Sequence, residues 1–333
     1  MIFVAVSCFF LRKTEAIHIG MLWDTIERSQ WENSTGISGS LRISPFGTEE
    51  KVQTFLAATR YEIVGRQYQI TEKSIVQILS NIAWLGKTVA LIVENETYGG
   101  SQKEFEWFVK KTRAAGVAVQ SDEALWTVYN HTKTLVVDRS HILISTANLS
   151  YPSFWRNREY RVAATHTGIA QNLYDLFQKD RRAEPLEYMD IHPAVLVCPI
   201  NCREKIMYAL ANAEKSIAIE AQYLEDEALI ALLSEKIKTT DVRIIVGEYQ
   251  NIDLLGELTS VTKILKEPYL HAKNILIDDE HLIVWSMNLS WNALDNNREI
   301  GIELTEKSFI LPFDRQFEKD RKEAEFVYNA VFQ

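Results

Sequence analysis

One polar signature occurs twice in this chain, 140 positions apart, and it constrains the fold more than any other feature. The first copy reads His131-Thr-Lys133-Thr-Leu-Val-Val-Asp138 and the second reads His271-Ala-Lys273-Asn-Ile-Leu-Ile-Asp278. Seven residues past each aspartate come Ser145-Thr146-Ala147-Asn148 and Trp285-Ser286-Met287-Asn288. Each copy then gives Leu-Ser, and later Asn157-Arg158-Glu159 and Asn297-Arg298-Glu299, with each glutamate 28 positions after its histidine. A lone HxKxxxxD is a weak signal. Two copies with matching downstream parts mark a duplication.

The repeat extends beyond the motifs. Ser44-Pro45-Phe46 followed by Glu50-Lys51-Val52 echoes Cys198-Pro199-Ile200 followed by Glu204-Lys205-Ile206. With a one-residue gap, 61–68 aligns on 216–223, bringing Tyr68 onto Tyr223. Amphipathic helical patterns follow at 74–83 and 227–237, then apolar strands at 89–93 and 242–246. The tails Leu176-Phe177…Asp180-Arg181 and Gln316-Phe317…Asp320-Arg321 also agree. A period this long belongs to duplicated domains, not to a solenoid. The reading is an α/β chain of two tandem repeated domains, each a mixed β-sheet flanked by helices. Residues 1–40 form an N-terminal extension, 41–190 the first repeat and 191–333 the second. The first half is longer through 94–119, read as an extra loop and helix near the mouth of the site.

Local patterning brings polar groups together. His and Lys stand two apart in each motif and so share one side of a strand. The runs after them are β-branched or apolar, Asp138-Arg-Ser and Asp278-Asp-Glu read as turns, and 142–144 and 282–284 as returning strands. Continued alternation puts Ser286 and Asn288 on one face, with Trp285 and Met287 on the other.

These residue types suit a phosphodiester. Histidine titrates nearest to neutral pH, so one imidazole attacks while another donates a proton. Lys133, Lys273, Asn148 and Asn288 supply donors to the non-bridging oxygens. Glu159 and Glu299 fix the tautomer and basicity of the imidazoles, as the aspartate does in a serine triad. Asp138 and Asp278 complete the candidate set as structural or supporting carboxylates. A phosphohistidine intermediate splits one hard displacement into two. The lysines neutralise charge, so neither a metal nor a cofactor is required.

With its two HKD motifs, each trailed by a Gly-Ser-x-Asn-like element, the chain resembles the phospholipase D superfamily over roughly residues 41 to 325. That resemblance implies two halves packed about a pseudo-twofold axis with both motifs at the interface. It implies phosphodiester cleavage or phosphatidyl transfer, with His131 as nucleophile and His271 as general acid by the family's usual order. One departure is visible: Ser145 and Trp285 stand where relatives often carry glycine. If the alternation holds, Trp285 points into the core and leaves the phosphate site undisturbed.

The same residues serve a phosphatidyltransferase such as a cardiolipin synthase, a nuclease of the superfamily, or a catalytically silent scaffold. Net charge is −9, all of it from 191–333, which counts against a nucleic-acid partner. A phospholipid is the favoured substrate, with peripheral membrane contact, a monomer-competent chain, and a cytoplasmic or peripheral location. The apolar run 2–11 is too short to span a bilayer; it reads as a strand or buried segment, with a degraded signal as the alternative. Cys198 and Cys202 replace Ser44 and Thr48 of the other repeat and read as reduced structural residues. His141 and His281 read as turn or strand-edge residues. Tyr129 and Tyr269 line the site or pack in the core, and Trp155 and Trp291 either contact a leaving group or a bilayer or, as is commoner for aromatic residues, pack in the core.

Overall fold

Period-two strands and 3.6-period helices follow one another in the same order twice. The computed structural model describes residues 36–97, 101–122, 127–247 and 252–327; the run 2–11 and most of the extension 1–40 lie outside the described residues. The first repeat comprises β1 (Ser38–Ser44), α1 (Thr48–Ala57), β2 (Glu62–Gln67), α2 (Lys73–Trp84), β3 (Thr88–Val93), α3 (Gln102–Ala114) and β4 (Ala118–Ser121). It continues with β5 (Lys133–Val137), β6 (His141–Ser145), α4 (Tyr151–Trp155), β7 (Asn157–Thr165) and α5 (Thr167–Arg181). The second comprises β8 (Val195–Cys198), α6 (Cys202–Ala211), β9 (Ser216–Ala221), α7 (Glu227–Lys236), β10 (Asp241–Val246), α8 (Ile252–Leu255), β11 (Thr262–Ile264) and β12 (Tyr269–Leu270). Then come β13 (Lys273–Ile277), β14 (His281–Trp285), α9 (Trp291–Asp295), β15 (Glu299–Leu304), α10 (Lys307–Glu323) and β16 (Glu325–Phe326).

The strands form two mixed sheets. One runs β1-β7-β6-β5-β2-β3-β4, with β12 of the second repeat added to β7. The other runs β16-β11-β10-β9-β13-β14-β15-β8. In each, the strands joined by helical crossovers are parallel (β2-β3-β4 and β9-β10-β11), while the motif hairpin and its neighbours are antiparallel. Alternation sorts the faces. Ile63, Leu91, Leu135 and Leu143 point outward, where α2 contributes Ile75, Val76, Leu79 and Ile82 from one helical stripe. Val64, Ile92, Val136 and Ile144 point inward to a core shared with Leu276, Val284 and Ile302 of the second sheet, packed with Phe177 of α5 and Phe313 of α10. The two repeats are therefore joined through one continuous core.

Two sequence alignments change. The second repeat carries α8 and β11 where the first carries α3 and β4, so 94–119 is a fuller form of a crossover present in both. Gln67 pairs with Lys133 and Ala221 with Lys273, which sets Tyr68 opposite Gln222, not Tyr223. A gap placed one residue away moves every side chain to the other face.

The motif aspartates belong to the fold rather than to the site. Asp138 and Arg139, like Asp278 and Asp279, hold positive φ in the turn joining the two motif strands, a conformation Asp tolerates better than most residues. The Asp138 carboxylate accepts the backbone N–H groups of Arg60, Tyr61 and Glu62 at 2.8–2.9 Å, and Asp278 accepts those of Glu214, Lys215 and Ser216. Burial opposes the charge, but these donors outweigh it and lower both pKa values. A five-residue strand, about 17 Å long, separates each from its motif lysine. Their inclusion among catalytic residues is thus corrected. His141 and His281 flank these same turns as strand-edge residues, His281 paired with Glu303 at 2.7 Å.

The cysteines are also corrected. Cys198 and Cys202 are disulfide-bonded, buried, with Cα atoms 5.1 Å apart, because β8 passes through one tight turn directly into α6. In the first repeat Ser44 and Thr48 join the same positions by a 3.0 Å hydroxyl hydrogen bond.

Candidate active site

Each histidine is held by the other repeat. The chain just before His271 (β12) lies parallel to the start of β7, pairing Tyr269 with Asn157 and Leu270 with Arg158. The His271 N–H then donates to the Arg158 carbonyl at 3.1 Å. Reciprocally, Asn130 bridges Arg298, and the His131 N–H donates to the Arg298 carbonyl at 3.0 Å. One residue beyond each arginine stands the glutamate. His131 Nδ1 therefore meets Glu299 at 2.9 Å, and His271 Nδ1 meets Glu159 at 2.8 Å.

Each glutamate is also fixed by its own repeat. Thr146 Oγ1 donates to Glu159 Oε2 and Ser286 Oγ donates to Glu299 Oε2, both at 2.6 Å. Those hydroxyls accept the N–H groups of Tyr160 and Ile300, which locks them between strand and carboxylate. Both glutamates are wholly buried, and ionised carboxylates keep such positions only when paired. With Nδ1 committed to a carboxylate, Nε2 is the imidazole nitrogen left for chemistry.

The lysines stand beside them. Lys133 and Lys273 open β5 and β13, so each histidine, expected on the same strand, stands two residues before its start. Lys133 Nζ donates to the His131 carbonyl at 2.8 Å, and Lys273 Nζ to that of His271 at 2.6 Å. Asn148 and Asn288 sit half-buried just past β6 and β14, each with a buried amide oxygen that has no hydrogen-bond partner. Tyr68 sets its ring edge against His131, with centroids 4.6 Å apart, while Lys133 Nζ lies 5.0 Å from the Tyr68 centroid. In the second repeat Gln222 Nε2 instead donates to Tyr269, whose ring stands 6.5 Å from that of His271.

Burial and crowding of positive charge shift these groups downward. Burial lowers the His131 pKa to about 4, the two lysines adding and Glu299 opposing; His271 moves the same way for the same reasons. Burial also lowers Lys133 to about 7 and Lys273 to about 8. Glu159 moves against its burial to about 2, because His271 and Lys273 favour the carboxylate. Burial thus favours the neutral form of both imidazoles.

The same segments contain charged residues whose role the sequence did not disclose. Arg158 donates twice to Asp320 on α10 (2.6 and 2.9 Å), and Arg298 donates to Asp180 on α5 at 3.2 Å. Each pair joins opposite repeats and is buried. The signal was available: both arginines and both aspartates recur in register, and buried charges are rare unless paired. Of the expected site residues, the two histidines, two lysines and two glutamates come together here. Asn148 and Asn288 stand just past the adjoining strands β6 and β14, and Asp138 and Asp278 lie at the far ends of β5 and β13. Trp285 is fully buried in the outer core of the second repeat, clear of the site. Trp155 and Trp291, for which the sequence leaves both core packing and contact with a leaving group or bilayer open, are solvent-exposed.

The sequence profile of the family described as "Cardiolipin synthase, PLD-like domain" matches residues 52–181 and 206–321. Curated proteins give no match. Among solved structures, the polyphosphate kinase of Porphyromonas gingivalis is 18% identical with a TM-score of 0.67, covering 85% of this chain and 50% of its own. This chain thus spans half the length of that protein. The phosphatidylserine synthase of Haemophilus influenzae is 11% identical with a TM-score of 0.66, covering 90% of this chain and 91% of its own. At these identities the likeness is one of fold.

Proposed function

The chain belongs to the phospholipase D-like family, and from that premise we propose that it cleaves a phosphodiester, favoured to be that of a phospholipid, through a phosphohistidine intermediate and without a metal. The observation that carries this reading is the reciprocal pairing of His131 with Glu299 and of His271 with Glu159. It leaves two Nε2 atoms as reacting groups and supplies each with a fixed tautomer.

His131 Nε2 attacks phosphorus while the bond to the leaving alcohol breaks. His271 carries a proton taken up when the anionic substrate binds, and gives it to the departing oxygen. It then takes a proton from water as the water oxygen attacks phosphorus. The P–N bond breaks, and His131 returns to neutral. Lys133 and Lys273 stand beside both imidazoles and would stabilise the phosphoryl oxygens, with Asn148 and Asn288 as neutral donors. Desolvated as they are, the lysines gain most from an anion in the site.

A second reading replaces water by an alcohol acceptor. The residues would be the same, since only the acceptor differs. The assignment of His131 as nucleophile rests on the family's usual order.

Product analysis on mixed phosphatidylcholine and phosphatidylglycerol vesicles containing EDTA, wild type beside His131→Ala, tests both readings. Phosphatidic acid from the wild type alone supports hydrolysis, and an exchanged phospholipid supports transfer. A requirement for added metal overturns the lysine-based account. No turnover of these lipids moves the substrate to another phosphodiester.

A further inference from the structure

The strand ends that carry the site also carry a ring of exposed large apolar side chains. Phe46 follows the C-terminal end of β1 and is 70% exposed. Val128 and Tyr129 precede the first motif histidine, and Tyr151 and Trp155 fill the short passage from β6 to β7. Trp291, 63% exposed, holds in the second repeat the position that Tyr151 holds in the first. Each of those two follows a serine N-cap and lies three residues past a site asparagine. By strand direction, all six stand at the end of the sheets where Lys133, Thr146, Glu159, Ser286 and Glu299 converge. An exposed aromatic alone needs no explanation, but six apolar groups at one end of the sheets form a surface.

The ring is built to project outward. Phe46 sits at φ +81°, a region bulky residues seldom adopt, and its N–H donates to the Phe154 carbonyl at 3.2 Å. Trp155 Nε1 donates to Glu49 at 3.0 Å, and its ring stacks on that of Tyr151 with centroids 6.5 Å apart. Rings with an apolar body and a polar edge favour the layer where headgroups meet hydrocarbon.

Charge selects the kind of surface. Glu49 and Glu50 open α1 at this end, the Arg156 guanidinium stands 5.5 Å from the Tyr151 ring, and residues 1–190, which supply five of the six side chains, carry as many acidic as basic groups. A face with no excess of cations offers no particular attraction to an anionic bilayer or a nucleic-acid backbone. We propose that this ring is a docking face that seats the site on the headgroup layer of a zwitterionic bilayer. The proposal rests on the phosphodiesterase reading above and adds the surface from which substrate is drawn.

Flotation assays with the whole chain test it, using phosphatidylcholine vesicles, vesicles that also contain phosphatidylglycerol, and a fluorescent single-stranded oligonucleotide. The wild type should float with phosphatidylcholine alone and stay bound in high salt. A Tyr151→Ser/Trp291→Ser double variant should bind roughly tenfold more weakly or worse. Its turnover of a soluble phosphodiester should match wild type within about twofold, since neither side chain is part of the reacting constellation. Absence of flotation overturns the proposal, as does binding that the double variant retains. Binding only to anionic vesicles, lost in salt, overturns it too, and so does preference for the oligonucleotide. Vesicle binding without turnover of any phosphodiester would leave the docking face standing and sink the catalytic reading; soluble turnover without vesicle binding would do the reverse.

Discussion

Near the two histidines lie two charge clusters assembled from the same exchanged parts and completed with opposite charges. In one, Asp180 of the first repeat meets Arg298 of the second, and the buried Arg66 forms an ion pair with the same aspartate. In the other, Asp320 meets Arg158, and strand register places Glu220 on β9 where Arg66 stands on β2. One aspartate thus faces two guanidiniums, whereas one guanidinium faces two carboxyl groups. Burial lowers the Arg66 pKa with Asp180 opposing; burial and the charge of Asp320 push Glu220 up to about 8. Parts that cross the interface are the same in both repeats, because each serves a partner in the other half. The third residue of each cluster sits on its own repeat's sheet, and there the two halves diverge.

The largest effect tests whether the repeats are equal partners in the site. His131→Ala and His271→Ala should each lower turnover of a soluble phosphodiester by about 10⁴-fold or more, with circular dichroism unchanged. Ordinary turnover by either purified variant would overturn the assignment and make one repeat a scaffold for the other.

Stability should respond unequally to the loss of the two aspartates. Removing one partner of a buried ion pair costs about 3–5 kcal/mol, because the other charge is left uncompensated. Asp180→Ala strands both Arg66 and Arg298 and should reach the upper part of that range. Asp320→Ala strands only Arg158, and Glu220 stands ready to ionise in compensation, so its loss should be smaller. Urea unfolding of the two variants measures the difference. Equal losses would mean that Glu220 lies too far from Arg158 to replace the aspartate.

The duplication made the double α/β fold and most of the site legible before any coordinates. His131, Lys133, Asn148 and Glu159 recur with fixed spacing in the second half, and spacing survives only where geometry is repeated. What spacing does not encode is exchange. Glu159 lies in the same repeat as His131 yet serves His271, because the chain before His271 adds to β7 as an extra strand. Pairing between distant segments leaves no local pattern. The motif aspartates, open from the sequence to a structural or a supporting role, could not be sorted by spacing: a carboxylate accepting backbone donors in a turn is as constrained in position as one in a site. Tyr68 was matched to the wrong partner because one gap can be placed at several points in a sequence but at only one in a strand register.

The pH dependence of kcat/KM sharpens the comparison within the site. His131 must be neutral to attack, and its pKa of about 4 sets the acid limb. Lys133 and Lys273, at about 7 and 8, lose their charge on the alkaline side. Protonated His271 is the acid of the first step, and its pKa lies below the ordinary 6.5. The expected profile therefore rises through about pH 4, begins to fall below pH 6.5 and steepens above about 7 as the lysines discharge. An alkaline limb that does not steepen up to about pH 10 would mean that the lysines stay charged in the free site and that the crowding of the two repeats' cations is relieved.

The smallest effect isolates Glu220. Its folded pKa of about 8 exceeds its ordinary value of 4.5, so the fold binds this proton more tightly than the unfolded chain does. Its contribution to stability is complete below about pH 4.5 and is lost as pH rises through about 8. Glu220→Gln keeps the shape of the protonated side chain and cannot ionise. Urea midpoints at pH 5, 7 and 9 should therefore decline less in the variant than in the wild type. Some decline should remain, because Glu94, also pushed up to about 8 by burial and by Asp122, follows the same sign. Parallel declines in variant and wild type would show that Glu220 is already ionised beside Arg158. The second cluster would then carry a true negative charge against the positive first one, and the asymmetry between the halves would be one of charge at every pH rather than of proton occupancy.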